Sequence, residues 1–254
     1  MIKFFRNIRQ KMLTENKIGK YILYAIGEIL LIVIGLFIAI QLNNLNEKET
    51  IYKKQIKHLR IIKAEMINNL NSISEFKNLS FEIMDAERKV ISYIDLGIAS
   101  EDEMSEQLRV ITFNELNLPL ESGALNEVIS SGGLKDIEND SIRNFLASWE
   151  GKKTSLWSQE KQLAEVRDVI IELYNNKGSI RILNDKRRQE RLNIDAPKKT
   201  LSNLPLLKLR RFENAIAHHL MLTYYLGNTI YQELEDEINK LIELIDKELS
   251  KSEK

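Results

Sequence analysis

Residues 21–40, YILYAIGEILLIVIGLFIAI, are twenty consecutive positions with one charge, Glu28. At about 1.5 Å per residue a helix of that length is about 30 Å long, the thickness of a bilayer's hydrocarbon core. From Ile29 to Ile40 the run is apolar at every helical angle. A core helix of a globular protein keeps a polar stripe, so this stretch reads as a membrane span. A cleavable leader would have a shorter apolar region followed by small residues. QLNNLNEKE follows instead, so an uncleaved anchor is expected. The expected division is a basic cytoplasmic tail over 1–20, a transmembrane helix over 21–42 and an exported domain over 43–254.

Charge gives the orientation. Residues 1–20 hold six Lys/Arg against Glu15, a net +5, and 43–254 hold a net −4. Close to the span the bias narrows to six cations before it against Lys48, Lys53, Lys54, Lys57 and Arg60 after it. Lys17 and Lys20 stand nearest the span, and basic flanks stay inside, so the N-terminus is expected in the cytoplasm. Tyr21 and Tyr24 fit an inner aromatic belt. The opening MIKFFRNIRQKM places Phe4, Phe5, Ile8 and Met12 near one helical face, with Arg6, Arg9 and Lys11 elsewhere around it. Two readings fit equally: a helix lying on an anionic leaflet, or a basic topogenic tail.

Glu28 is the anomaly, since a charge at the bilayer centre costs at least about 2.5 kcal/mol. It lies eight residues in, where it can be protonated or reach the headgroups. The alternative is geometric. At 100° per residue, Gly35 and Ala39 lie about 20° to either side of Glu28. Gly35 and Ala39 form a small-xxx-small pair, so Glu28, Gly35 and Ala39 are a candidate helix–helix interface. The expected partner is membrane lipid together with a second copy or another membrane protein. One acid in one span offers no chain of proton-relay groups.

Gly (10) and Pro (3) are scarce, which favours long helices. The expected fold is all-α: the transmembrane helix, then an antiparallel bundle of long helices. Tyr52, Ile56, Leu59, Met66, Leu70 and Ile73 recur in near-heptad register, so the first helix is expected to continue outward like a coiled-coil stalk to a left-handed cap at Gly97. Ser100 and Glu103 fit a capping box. Pro119 breaks the chain, a short helix is expected over Ser122–Ser130, and SSGGL forces a corner. Gly132–Gly133 lacks the Lys and the strand of a phosphate loop. A long helix after Asp140 presents Ile142, Leu146, Trp149, Leu156, Leu163, Ile170 and Tyr174 and stops before Gly178. The last helix starts near Asn203–Pro205 and presents Leu207, Phe212, Ile216, Leu220, Tyr225, Ile230, Leu234, Ile238, Leu241 and Leu244. Trp149 and Trp157 are expected in packing contacts.

MIKFFRNIRQKMLTENKIGKYILYAIGEILLIVIGLFIAIQLNNLNE, with the later SSGGLKDIENDSIRNFLASW, resembles a domain-of-unknown-function family of single-span proteins found mainly in Bacteroidetes. The resemblance implies an inner-membrane protein with an exported helical domain, and implies no activity.

If the first long helix leaves the membrane and the helix over 141–176 returns, the loop 178–202 should lie beside the leaflet. Residues 181–211 carry a net +7, including Arg187, Arg188, Arg191, Lys198 and Lys199. These five are a candidate basic membrane-proximal loop, against the plainer reading of a solvated loop. No nucleic-acid-reading module is present. His218 and His219 point about 100° apart and cannot chelate like an i, i+4 pair, and His219 fits a boundary position. The chain has no cysteine, which excludes disulfides and thiolate metal sites. No catalytic motif, metal site or cofactor is expected. The leading expectation is a non-enzymatic interaction protein: a scaffold, accessory subunit or oligomeric stalk. The alternative is an exported ligand-sensing domain that signals through the span to a separate effector.

Overall fold

The computed structural model describes residues 18–183, 191–195, 197–199 and 201–252. Among them every regular element is helical and none is a strand. The elements are α1 (Ile18–Leu96), α2 (Glu101–Phe113), α3 (Gly123–Ser130), α4 (Asp140–Lys177), α5 (Arg210–Tyr225) and α6 (Tyr231–Lys251). Short 3-10 turns lie at Gly133–Asp136, Ile180–Leu183 and Leu204–Lys208. The chain divides into two units, Met1–Gln55 and Ile56–Lys254.

In the first unit the described residues form the leading part of α1. Its apolar side chains are exposed all the way round: Leu23, Leu31 and Phe37 are 74%, 72% and 62% exposed, and the residues between Ile29 and Ile40 follow suit. Among the described residues α1 holds the one stretch long and apolar enough to cross a membrane. The expected amphipathic face at Phe4, Phe5, Ile8 and Met12 lies outside the described residues.

The second unit is a bundle. Helix ends follow the local chemistry. Gly97 closes α1 at φ +66°, a conformation only glycine adopts without strain, and its N–H reaches the Tyr93 carbonyl at 3.0 Å. The Ser100–Glu103 capping box is formed: Glu103 N–H donates to Ser100 Oγ at 3.2 Å, and Ser100 N–H to Glu103 Oε2 at 2.8 Å. Asn139 Oδ1 caps α4 by accepting from the N–H groups of Ser141 and Ile142. All seven apolar residues assigned to the α4 face are buried.

The threading differs from the expected one. Along α1, Lys63 pairs with Asp246, Lys77 with Glu235 and Glu87 with His219. Along α4, Lys152 pairs with Glu237, Glu160 with Tyr231, and Glu172 with Arg211. As α1 and α4 ascend, their partners in α5–α6 descend. The α5–α6 leg is therefore antiparallel to both, and α1 and α4 run the same way. The return leg is α2, an extended strap over 114–122, and α3: Met104 and Leu108 pack with Val90, Asn69 bonds Glu121, and Glu65 bonds Ala124. The bundle is antiparallel, with four legs rather than three. The broken segment around Pro119 spans the bundle because extended backbone rises about 3.3 Å per residue against 1.5 Å in a helix.

The loop after α4 is accordingly at the Leu96 end of this unit, opposite the end where α1 enters at Ile56. Glu101 accepts from the Asn203 N–H and the Ser202 hydroxyl, both at 2.6 Å, and Asn203 in turn holds the Ser179 backbone. The expected place of this loop beside the leaflet depends on α4 running back along α1, and α4 runs the same way as α1.

A second departure lies in the last leg. The buried positions are Phe212, Ile216, His219, Thr223 and Leu226, then Tyr231, Leu234, Ile238, Leu241 and Ile245. The spacing alternates between three and four except for the five from Leu226 to Tyr231, where Leu226–Ile230 form a π turn. Phe212 to Leu226 form one regular buried face that leaves Tyr225, expected inside, 46% exposed, and the π turn carries the face on to Tyr231 and to the expected Leu234, Ile238 and Leu241. Gly227 allows the turn to meet α1, since a Cβ there would collide with the Ser80 hydroxyl.

The strap explains a set of buried polar side chains. An extended segment with no β partner must satisfy its backbone otherwise. Leu116 and Leu118 point inward, and neighbouring helices supply the bonds. Leu118 N–H donates to Glu160 Oε1 at 2.9 Å, and Glu121 N–H to Asn69 Oδ1 at 2.7 Å. Asn69 Nδ2 donates back to the Glu121 carbonyl at 3.0 Å. Glu65, on α1, caps α3 from outside it, accepting from Ala124 N–H at 2.6 Å and Leu125 N–H at 3.1 Å. Glu65→Ala is expected to lower stability by about 2–4 kcal/mol, because two largely buried N–H groups lose their acceptor. Glu65→Gln, which keeps one carbonyl oxygen, should lose about half of that in urea unfolding of the detergent-solubilised chain.

Candidate functional site

The sequence-derived candidates fall in two places. Gly35 and Ala39 are exposed on α1, and no side chain or backbone atom lies within 4 Å of where a Gly35 Cβ would stand. Glu28 is half-exposed on the same helix. Gly35 and Ala39 are thus open on the surface of the single chain. Of the five loop cations, Arg187 and Arg188 lie outside the described residues, and Arg191, Lys198 and Lys199 are exposed.

The bundle interior holds a polar array that the sequence did not single out. Glu160, 5% exposed, accepts the Leu118 N–H and the Tyr231 hydroxyl on the same Oε1, each at 2.9 Å. Burial pushes its carboxyl up to about 7, against the pull of those two bonds. The Tyr231 hydroxyl is raised as well, by burial and then by the adjacent Glu160 charge. A second pair lies farther along the bundle. His219, expected at a boundary, is 2% exposed and its Nδ1 meets Glu87 Oε1. Thr223 Oγ1 donates to the His219 carbonyl at 2.9 Å. Burial raises the Glu87 carboxyl, and the His219 bond offsets part of that. Between the pairs is a small cavity of about 10 Å³ whose lining includes His219, Glu160, Arg167 and Glu115.

On the outer side of Glu160 a groove of about 530 Å³ runs between the strap and α4. Leu118, Pro119 and Leu120 form one wall, and Leu156 and Trp157 the other. Trp149 is fully buried, as expected, but Trp157 is 58% exposed. Lys161 Nζ stands 5.5 Å from its ring centroid. The signal for the groove was faint: a second Trp eight residues after the first stands about 80° away round the helix. Among the described residues no three His, Asp or Glu side chains are placed to hold a metal ion. Chemically, the interior offers two hydrogen-bonded acids held at fixed points of the backbone scaffold.

No family model, no curated protein and no solved structure matches the chain.

Proposed function

We propose that this chain is a membrane-anchored, non-enzymatic helical interaction protein: a scaffold, accessory subunit or oligomeric stalk. It sits in a bacterial inner membrane with its N-terminus cytoplasmic and the bundle exported, as the family resemblance of residues 1–47 implies. One observation carries the reading. Fifteen large apolar side chains from Ile22 to Leu45 stand exposed around a lone helix. Each forfeits about 1.5–3 kcal/mol in water, so together they require a lipid or protein cover. The acids of the bundle support the non-enzymatic part, since Glu65, Glu101 and Glu160 are each engaged in holding backbone.

The expected mode of association is through Glu28, Gly35 and Ala39, where small residues let two backbones approach and a carboxyl bonds across the contact. The mass of the full-length protein in mild detergent tests this. The wild type should be a defined oligomer, and Glu28→Ala should weaken its association about 3- to 20-fold, the range of one interhelical hydrogen bond. A monomeric wild type would defeat self-association through this stripe.

One observation favours a second reading, an exported ligand-sensing domain acting through the span on a separate effector: the open groove beside Trp157.

A further inference from the structure

We infer that the groove between the strap and α4 binds a small organic ammonium ion, a cationic nitrogen carried on an apolar body. The inference gives the sensing reading a ligand class, and it stands whether or not the span self-associates.

Size and lining come first. About 530 Å³ lies within the range of small-molecule sites, and the walls are apolar: strap leucines and Pro119 on one side, Leu156 and Trp157 on the other. Such walls take a hydrocarbon or aromatic body. The indole adds a face with negative electrostatic potential, which attracts cations within about 6 Å. It already attracts one, Lys161 Nζ, and more than half of the side chain stays open.

Charge then selects the sign. The lining has two carboxyl groups, Glu150 and Glu160, and one cation, Lys153, while Lys161 stands at the rim over the Trp157 ring. Lys153 is engaged with Glu150 at 3.3 Å and with Ser122 Oγ at 2.8 Å. The carboxyl left without a cation is Glu160, at the floor. A ligand carboxylate would meet that acid, whereas an ammonium would neutralise it. Glu160 also lines the inner cavity, so it separates the groove from the interior. The groups facing it are the Tyr231 hydroxyl from α6, the Leu118 N–H from the strap, Glu150 and Lys153 on the groove side, and Arg167, Glu115 and His219 with its partner Glu87 on the inner side. Its carboxyl is half-ionised near pH 7, so ammonium binding expels a proton there and tightens as pH rises.

The test uses the full-length protein in a non-ionic detergent, with 2-phenylethylammonium as probe and 2-phenylethanol and 3-phenylpropionate as neutral and anionic controls. Binding is followed by calorimetry and by tryptophan fluorescence. The expected result is saturable binding of the ammonium at least tenfold tighter than of either control. Affinity should rise several-fold between pH 6 and pH 8. Trp157→Ala, on an exposed side chain that leaves the core intact, should weaken binding at least tenfold, and Glu160→Gln should abolish the pH dependence. Equal responses to the three probes, or ammonium binding unchanged in Trp157→Ala, would overturn the inference.

Discussion

Trp149→Ala is expected to lower the stability of the bundle by about 3–5 kcal/mol. Trp149 is fully buried in the cluster that joins Leu59, Ile62 and Met66 of α1 to Ile142 and Leu146 of α4 and Ile238 of α6. It therefore belongs to a core shared by three of the four legs. Phe145 stacks obliquely against it, with ring centroids 5.8 Å apart. Removing the indole leaves a void that the flanking helices cannot close without breaking their ion pairs, so the cavity cost adds to the lost transfer energy. Trp149→Phe should behave quite differently. The indole N–H is buried without a protein partner, so phenylalanine gives up no hydrogen bond and removes an unpaired donor. We expect it to cost less than about 1.5 kcal/mol. Urea unfolding of both variants checks the pair. An alanine variant as stable as the phenylalanine one would mean that Trp149 does not join the legs as described.

The second large effect is a pH dependence set by Glu160. Its carboxyl lies near 7 in the fold against an ordinary 4.5. Between those values the folded chain holds a proton that the unfolded chain has lost. Stability from this group is therefore greatest below about pH 4.5, falls as pH rises, and is lowest above pH 7. The span of the shift corresponds to about 3 kcal/mol. Glu87 is shifted in the same direction by burial and adds to the slope. Glu160→Gln keeps an oxygen for the Leu118 N–H and the Tyr231 hydroxyl but cannot ionise. It should be more stable than wild type at pH 8 by about 2–3 kcal/mol, with a flatter profile from pH 5 to pH 8. Parallel profiles for the two proteins would show that Glu160 ionises freely in the fold.

Much of this architecture was legible in the sequence because it depends on local chemistry. The apolar run from Ile29 to Ile40, the left-handed glycine at Gly97, the Ser100–Glu103 box and the buried face of α4 are decided within one or two helical turns. Three features were not, and each depends on distant partners. The direction of α4 is not legible from helix lengths, because the return leg is not a long helix: α2, nine extended residues and α3 span the same length. The exposure of Tyr225 was hidden because the ladder Leu220–Tyr225–Ile230 sets it on the buried face, whereas His219, Thr223 and Leu226 hold that face ahead of a π turn. The roles of Glu65, Asn69, Glu87 and Glu160 were hidden because a polar residue amid an amphipathic helix looks the same whether it meets water or caps a neighbour's backbone. The acidic start of α2 at Glu101–Glu103 and the basic loop after α4 stand at one end of the bundle, where Glu101 ties down Ser202 and Asn203.

The most direct test of membrane anchorage is cysteine accessibility in intact cells. The chain has no cysteine of its own, so a single Ser130→Cys on the exposed end of α3 reports unambiguously. With the outer membrane permeabilised, a membrane-impermeant maleimide should label this position before lysis, and the labelled protein should stay with the membranes through an alkaline wash. Labelling only after lysis would reverse the orientation, and release into the wash would contradict a lipid-spanning α1.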